Sequence, residues 1–211
     1  MRLFLASYRF GAHRDRFVRL VGGTTRIAVI ANAADAWGTA RDSAVVSDLV
    51  PLRRLGFDVA EVDLREYAGA PERLRERLSE FGAVWVRGGN TFVLRAQLAA
   101  CGGDAVLTDL LRRDALVYAG YSAGACVLSP SLRGLELADD PAEVQAVCGR
   151  ETIWDGLGLI DFAIVPHHRS PGYPPEEVEL IDRIADGYRR AGTPHRTLDD
   201  DQVVVIDEPS R

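Results

Sequence analysis

The sequence predicts an α/β fold, a mostly parallel sheet flanked by helices. Three observations lead there. Seven apolar runs of strand length recur along the 211 residues. Several are nearly continuous rather than alternating, which marks strands covered on both faces. Patterns with helical spacing fall between them.

In chain order, "RLFLAS" (2–7) and "RIAVIA" (26–31) read as the first two strands. The segment around His13, beside Arg14 and Asp15, reads as a surface loop. "SAVVSDLVPLRRLG" (43–56) has apolar residues at helical spacing and Gly56 as a stop. Pro51 lacks an N–H and is expected to kink that helix or mark its true start. "DVAEVDL" (58–64) is the next strand. "PERLRERLSEFG" (71–82) is a helix with Pro71 in its first turn and Gly82 at its end. The strand "AVWVRG" (83–88) leads to "TFVLRAQLAACGG" (91–103), a helix capped by Asn90. "ALVYAG" (115–120) is a fifth strand. The long segment 129–158 exceeds a simple connection and is expected to be a functional insertion or to carry short elements of its own. "FAIVPH" (162–167) and "QVVVID" (202–207) are strands. Between them, 176–192 is a helix with Val178, Ile181, Ile184 and Tyr188 on one stripe. No repeat or linker divides the chain, so one domain over 1–211 is expected.

Composition narrows the function. Asp and Glu number 31 against 25 Lys and Arg, a net charge of −6. With no sustained basic cluster, a nucleic-acid partner is not expected; "LRRD" (111–114) reads as a solvated helix face. The three cysteines, Cys101, Cys126 and Cys148, match neither a disulfide framework nor a zinc site. With no signal peptide and no membrane span, a cytoplasmic protein without a membrane partner is expected. The oligomeric state stays open; a homodimer is compatible with the sequence.

The chemistry centres on "GYSAGACVL" (120–128). Gly120-Tyr121-Ser122-Ala123-Gly124 fits G-x-S-x-G, a strand-to-helix turn that lifts a serine out of the sheet. Small residues two positions either side are needed because strand and helix crowd there. Ser122 would sit near a helix N-terminus, where free N–H groups favour developing negative charge. The Ala123 N–H is a natural oxyanion donor. "RGGNTF" (87–92) lacks the Lys-Ser/Thr pair of a phosphate loop, so Gly88 or Gly89 reads as the second donor.

Serine needs a base. Of four histidines, His13, His167, His168 and His195, His167 follows an apolar run and so falls at a strand's C-terminal end, where open α/β sheets form their sites. His168 is its neighbour, and only one of the two should face Ser122. Asp199, Asp200 and Asp201 stand before the last strand as candidate orienting acids. The chain order Ser…His…Asp differs from the α/β-hydrolase order. An esterase-like set of Ser122, Asp161 and His195 is the alternative of that kind. A binding domain without turnover is another.

Taken together, "VWVRGGNTFVLR" (84–95), "LVYAGYSAGACVLSPSL" (116–132) and "WDGLGLIDFAIVPHHRSP" (154–171) resemble the dipeptidase E (aspartyl dipeptidase) family of serine peptidases, which also includes cyanophycinases. The resemblance extends over nearly the whole chain. It implies a flavodoxin-like, class I glutamine amidotransferase-like fold and a Ser-His-acid triad acting on short peptides. Carried over residue by residue, it assigns Ser122, His167 and Asp200 to the triad, and Gly88 or Gly89 with Ala123 to the oxyanion hole. Asn90, Thr91 and Arg169 are its candidate substrate-binding residues. This chemistry calls for no metal and no cofactor. One departure bears on specificity: the G-E-(S/T)-R segment that holds an aspartyl substrate in the family is replaced here by "SPGYPPEEVE" (170–179), with Glu176 and Glu177.

Overall fold

A computed structural model describes residues 1–208; residues 209–211, which the expected domain also includes, lie outside the described range. The chain begins with β1 (Arg2–Ala6), α1 (Arg14–Val21) and β2 (Arg26–Ile30). A 3-10 segment, Asn32–Ala40, then leads to α2 (Arg41–Arg54) and β3 (Asp58–Glu61). Next come α3 (Pro71–Leu78), β4 (Ala83–Val86), α4 (Thr91–Cys101), α5 (Gly103–Arg112), β5 (Val117–Tyr121) and the short α6 (Ala123–Cys126). The insertion carries α7 (Glu143–Cys148), and the chain continues through β6 (Ala163–Val165), α8 (Pro175–Ala191), β7 (His195–Thr197) and β8 (Val203–Asp207).

Six strands form one sheet in the order β3-β2-β4-β5-β1-β8, parallel except for β8, which runs antiparallel to β1. β6 and β7 form a separate parallel pair. The apolar runs are continuous because both faces of the large sheet are covered. Leu3, Leu5, Ile30, Val86 and Tyr118 point to a core shared with α3 to α6 and α8. Their neighbours Phe4, Ala6, Val29, Trp85 and Ala119 point to a second core against α1 and α2. Successive strand residues alternate faces, so a strand buried on both sides has no polar side to show.

Helix ends follow local chemistry. The Asn90 side chain accepts from the N–H groups of Phe92 and Val93 at 2.9 and 3.1 Å, capping α4. Gly192, with φ 66°, closes α8 in the left-handed conformation. On the expected stripe of α8, Ile181, Ile184 and Tyr188 are buried and Val178 is half-buried. α3 stops at Leu78, short of Gly82.

Two expectations need correction, and one strand was not expected. Pro51 neither begins α2 nor ends it: the helix runs from Arg41 to Arg54. A proline at 51 leaves the Ser47 carbonyl without its helical donor, and the Arg9 guanidinium supplies one instead, Nη1 lying 3.0 Å from that oxygen. The segment after His13 is helical, not a loop; α1 buries Phe17, Leu20 and Val21 despite its three arginines. β7 reads His-Arg-Thr and has no apolar pattern to announce it.

Candidate active site

The turns at the C-terminal ends of β1, β4, β5 and β6 meet around one cleft of about 630 Å³. Ser122 stands where β5 passes into α6. Its φ of 49° is uncommon for a residue with a side chain. The turn holds it there: the Ser122 N–H continues the sheet to the Ala6 carbonyl at 3.1 Å, and its own carbonyl accepts from Ala125 and Cys126 at 2.8 and 2.9 Å. The flanking glycines are demanded by space. A Cβ on Gly120 would run into the Gly124 carbonyl, and one on Gly124 into the Val86 carbonyl.

His167 follows β6 and also has a positive φ, 61°. Hydrogen bonds beyond the ends of β6 and β7, from Leu198 N–H to Val165 and from His168 N–H to Leu198, bring the two following turns together. Across them, His167 Nδ1 lies 2.6 Å from Asp200 Oδ1, and His167 Nε2 lies 3.1 Å from Ser122 Oγ. An ionised carboxylate only accepts hydrogen bonds, so Nδ1 carries the proton and the Nε2 lone pair faces the serine. Ser7, at the end of β1, ties both partners: its Oγ donates to Asp200 Oδ1 at 2.9 Å and accepts from the His167 N–H at 2.7 Å. Ser170 Oγ accepts from the Asp200 N–H.

The neighbouring candidates face elsewhere. His168 Nε2 lies 3.1 Å from Asp182 on α8. Asp199 caps its own turn through the Asp201 N–H, and Asp201 is exposed. Asp161 is exposed before β6, while His195 Nδ1 meets the Thr193 carbonyl at 2.8 Å. The strand register pairs Ala163 with His195, so His195 sits at the end of the β6–β7 pair opposite His167. Ser122, Asp161 and His195 therefore do not assemble.

Gly88 packs against the nucleophile turn; a Cβ there would stand 2.9 Å from Ser122 Cβ. Gly89 takes φ 144° beneath the Ala33 carbonyl, where a Cβ would not fit. Ala123 opens α6, so its N–H has no carbonyl one turn back.

Of the three residues read as substrate-binding, Asn90 and Thr91 lie in the lining of the cleft and Arg169 does not. Asn90 is buried, and its amide is fully used: Oδ1 caps α4 and Nδ2 donates to the Asp140 carbonyl and Glu143 Oε2 at 2.8 and 2.7 Å. It therefore locks the insertion to the glycine turn. Thr91 is buried and gives its N–H to Asp139 Oδ2. Arg169 has a side chain 74% exposed, 3.7 Å from Asp182 and outside the cleft lining. Beside Asn90 and Thr91 the cleft is lined by Arg9 and Arg87, by Asp139, Asp140 and Glu143 of the insertion, and by Tyr173 and Glu177 before and on α8.

Burial raises the Asp139 carboxyl above its ordinary value, against the pull of the Thr91 hydrogen bond. Burial also raises the Cys126 thiol, so this neighbour of Ser122 stays protonated and does not compete as a nucleophile. Ser7, Tyr173 and the arginine pair escaped the sequence reading, since a lone serine after a strand or an arginine before a glycine pair carries no distinctive spacing.

An α/β sheet presenting serine, histidine and carboxylate in one hydrogen-bonded line belongs to the architecture of serine hydrolases. The comparison with known proteins is more specific: the chain belongs to Peptidase family S51, whose profile matches residues 9–210. It is a serine-type peptidase. An uncharacterized peptidase of Listeria innocua is 27% identical over 157 residues, covering 74% of this chain and 70% of that protein. Peptidase E of Streptomyces coelicolor is 35% identical over 98 residues, 45% of this chain and 35% of that protein. In fold, the chain is similar to a crystal structure assigned as a peptidase E from Listeria monocytogenes EGD-e. The TM-score is 0.76 at 22% identity over 98% of each chain. Among the described residues no helix is long and apolar enough to cross a membrane.

Proposed function

We propose that the chain acts as a single-domain serine peptidase of the peptidase E type, hydrolysing short peptides through an acyl-enzyme. The observation that carries this reading is the line from Asp200 through His167 to Ser122, 2.6 and 3.1 Å, at the wall of the cleft. His167 takes the Ser122 proton as Ser122 Oγ attacks the scissile carbonyl. The N–H groups of Ala123 and of Gly88 or Gly89 hold the oxyanion. His167 then protonates the leaving amine, and water hydrolyses the acyl-enzyme with the same base. Asp200 keeps the imidazole in the productive tautomer and stabilises its charged form.

A library of dipeptides and tripeptides, scored by released amine, tests this reading. Ser122→Ala and His167→Ala should each lower kcat/KM by roughly 10⁴-fold or more, and a fluorophosphonate probe should label wild-type protein but not Ser122→Ala. A folded wild-type protein that neither labels nor cleaves would be a binding domain.

A further inference from the structure

β1 lies between β5, which ends at the nucleophile, and β8, which the triad acid precedes. The registers bring their ends level: Ala6 pairs with Tyr121 on one side and with Val203 on the other. Ala6 and Ser7, where β1 gives out, therefore reach all three members of the triad. The Ala6 carbonyl accepts from the Ser122 N–H at 3.1 Å. The Ser7 N–H donates to the Gln202 carbonyl at 3.3 Å, two residues beyond Asp200. Ser7 Oγ meets the His167 N–H at 2.7 Å and Asp200 Oδ1 at 2.9 Å.

The Ser7 proton has one place to go. A backbone N–H only donates, so Oγ accepts from His167 and its own proton is left for the carboxylate. Ser7 is fully buried, so water does not compete for either contact. The two contacts answer separate needs. His167 has φ 61°, a conformation that a residue with a Cβ keeps only when its surroundings fix it. Ser7 fixes it through the His167 N–H. Asp200 Oδ1 accepts from both Ser7 and the imidazole, so a donor anchored in the sheet sets the oxygen that the imidazole N–H meets. The turn after β1 adds a second brace to the acid's turn. The Ala12 N–H donates to the Asp201 carbonyl at 3.1 Å, and a Cβ on Gly11 would stand 2.6 Å from that oxygen.

We propose that Ser7 is a positioning residue for the reaction, holding His167 and Asp200 in line with Ser122 through its single hydroxyl. The inference rests on the peptidase reading for what the triad does. Without the hydroxyl, the His167 N–H loses its partner and Asp200 loses the donor that sets its orientation. The imidazole then spends less time aligned with Ser122 Oγ, and proton transfer slows. Ser7 is absent from the cleft lining, so substrate binding is left as it was.

The rate at which a fluorophosphonate labels Ser122 reads this alignment whatever peptide is cleaved. Ser7→Ala should lower that rate roughly 10- to 100-fold, the range for a hydrogen bond to a charged group. For a peptide that the wild type cleaves, kcat should fall by a similar factor while KM stays within about twofold. Ser7→Cys keeps the volume but donates and accepts weakly, so it should fall with Ser7→Ala. In proton NMR, the downfield signal of His167 Nδ1–H, recognised as the one that Asp200→Asn removes, should shift in both variants. Labelling at the wild-type rate by folded Ser7→Ala or Ser7→Cys, or an unmoved signal, would overturn the proposal. Failure of the peptidase reading would show separately, as wild-type protein that the fluorophosphonate leaves unlabelled.

Discussion

Tyr173 Oη lies 2.8 Å from His167 Nδ1, the nitrogen that also meets Asp200. A single N–H cannot fully serve both oxygens, and the carboxylate is the stronger acceptor. The phenol raises its own value through burial and the nearby Asp200 charge, so it remains an O–H donor at neutral pH. Its proton is best placed on Asp200, with the ring set against the imidazole at 5.2 Å between centroids. Tyr173 therefore positions the pair rather than reacting. Tyr173→Phe should lower kcat by roughly tenfold through the lost hydrogen bond to a charged group, leave KM nearly unchanged, and shift the acid limb of the pH–kcat profile. An unaltered pH profile would assign Tyr173 to packing alone.

Asp200 is the acid of its cluster that faces His167, and it is reached by Ser7 and Ser170 as well. Asp200→Asn offers the imidazole an amide in place of a carboxylate and favours the wrong tautomer. The expected loss in kcat is about 10⁴-fold, by analogy with the serine-protease aspartate. Asp199→Asn and Asp201→Asn should stay within about threefold of wild type, since surface substitutions of this kind rarely propagate to a site. Steady-state kinetics on the three variants separates the positions.

The small residues around Ser122 are steric requirements. Gly124→Ala would press a methyl group onto the Val86 carbonyl and move β4 away from the turn. Overpacking of this kind costs about 1–3 kcal/mol, which urea denaturation would register as a lowered midpoint. Activity should fall further than stability does, because the same movement displaces Gly88.

A prediction away from the cleft concerns acid stability. Burial alone would raise the Asp63 carboxyl, but hydrogen bonds from Arg65 and Asn32 and the charge of Arg41 hold it down at about 2. Its folded value is below the unfolded one, so its contribution is fully present above about pH 4. That contribution is lost as pH falls toward 2. Solvent screening at this partly exposed ion pair keeps it to about 1 kcal/mol at neutral pH. Asp63→Asn should lose this stability at pH 7 and show a shallower decline between pH 4 and 2 in denaturation midpoints.

Local signals carried much of this protein's architecture. Continuous apolar runs fixed where strands buried on both faces would lie, and Asn90 and Gly192 marked helix ends through their own backbone chemistry. The spacing of Gly120, Ser122 and Gly124 is legible in part for the same reason: Gly120 relieves crowding against Gly124 itself, within five residues, whereas Gly124 makes room for the Val86 carbonyl of β4. The proximity of His167 to Ser122 was readable only as far as a strand end can be. What remained was settled by segments far apart in the chain. The turn geometry between β7 and β8 turned Asp200 rather than its neighbours toward His167, and the start of α4 and the insertion used up Asn90. Arg169 went to the surface while Arg9, 78 positions before Arg87, met it at Ser47. No local pattern encodes such meetings: side chains reach their partners only after the sheet order has brought the strand ends together.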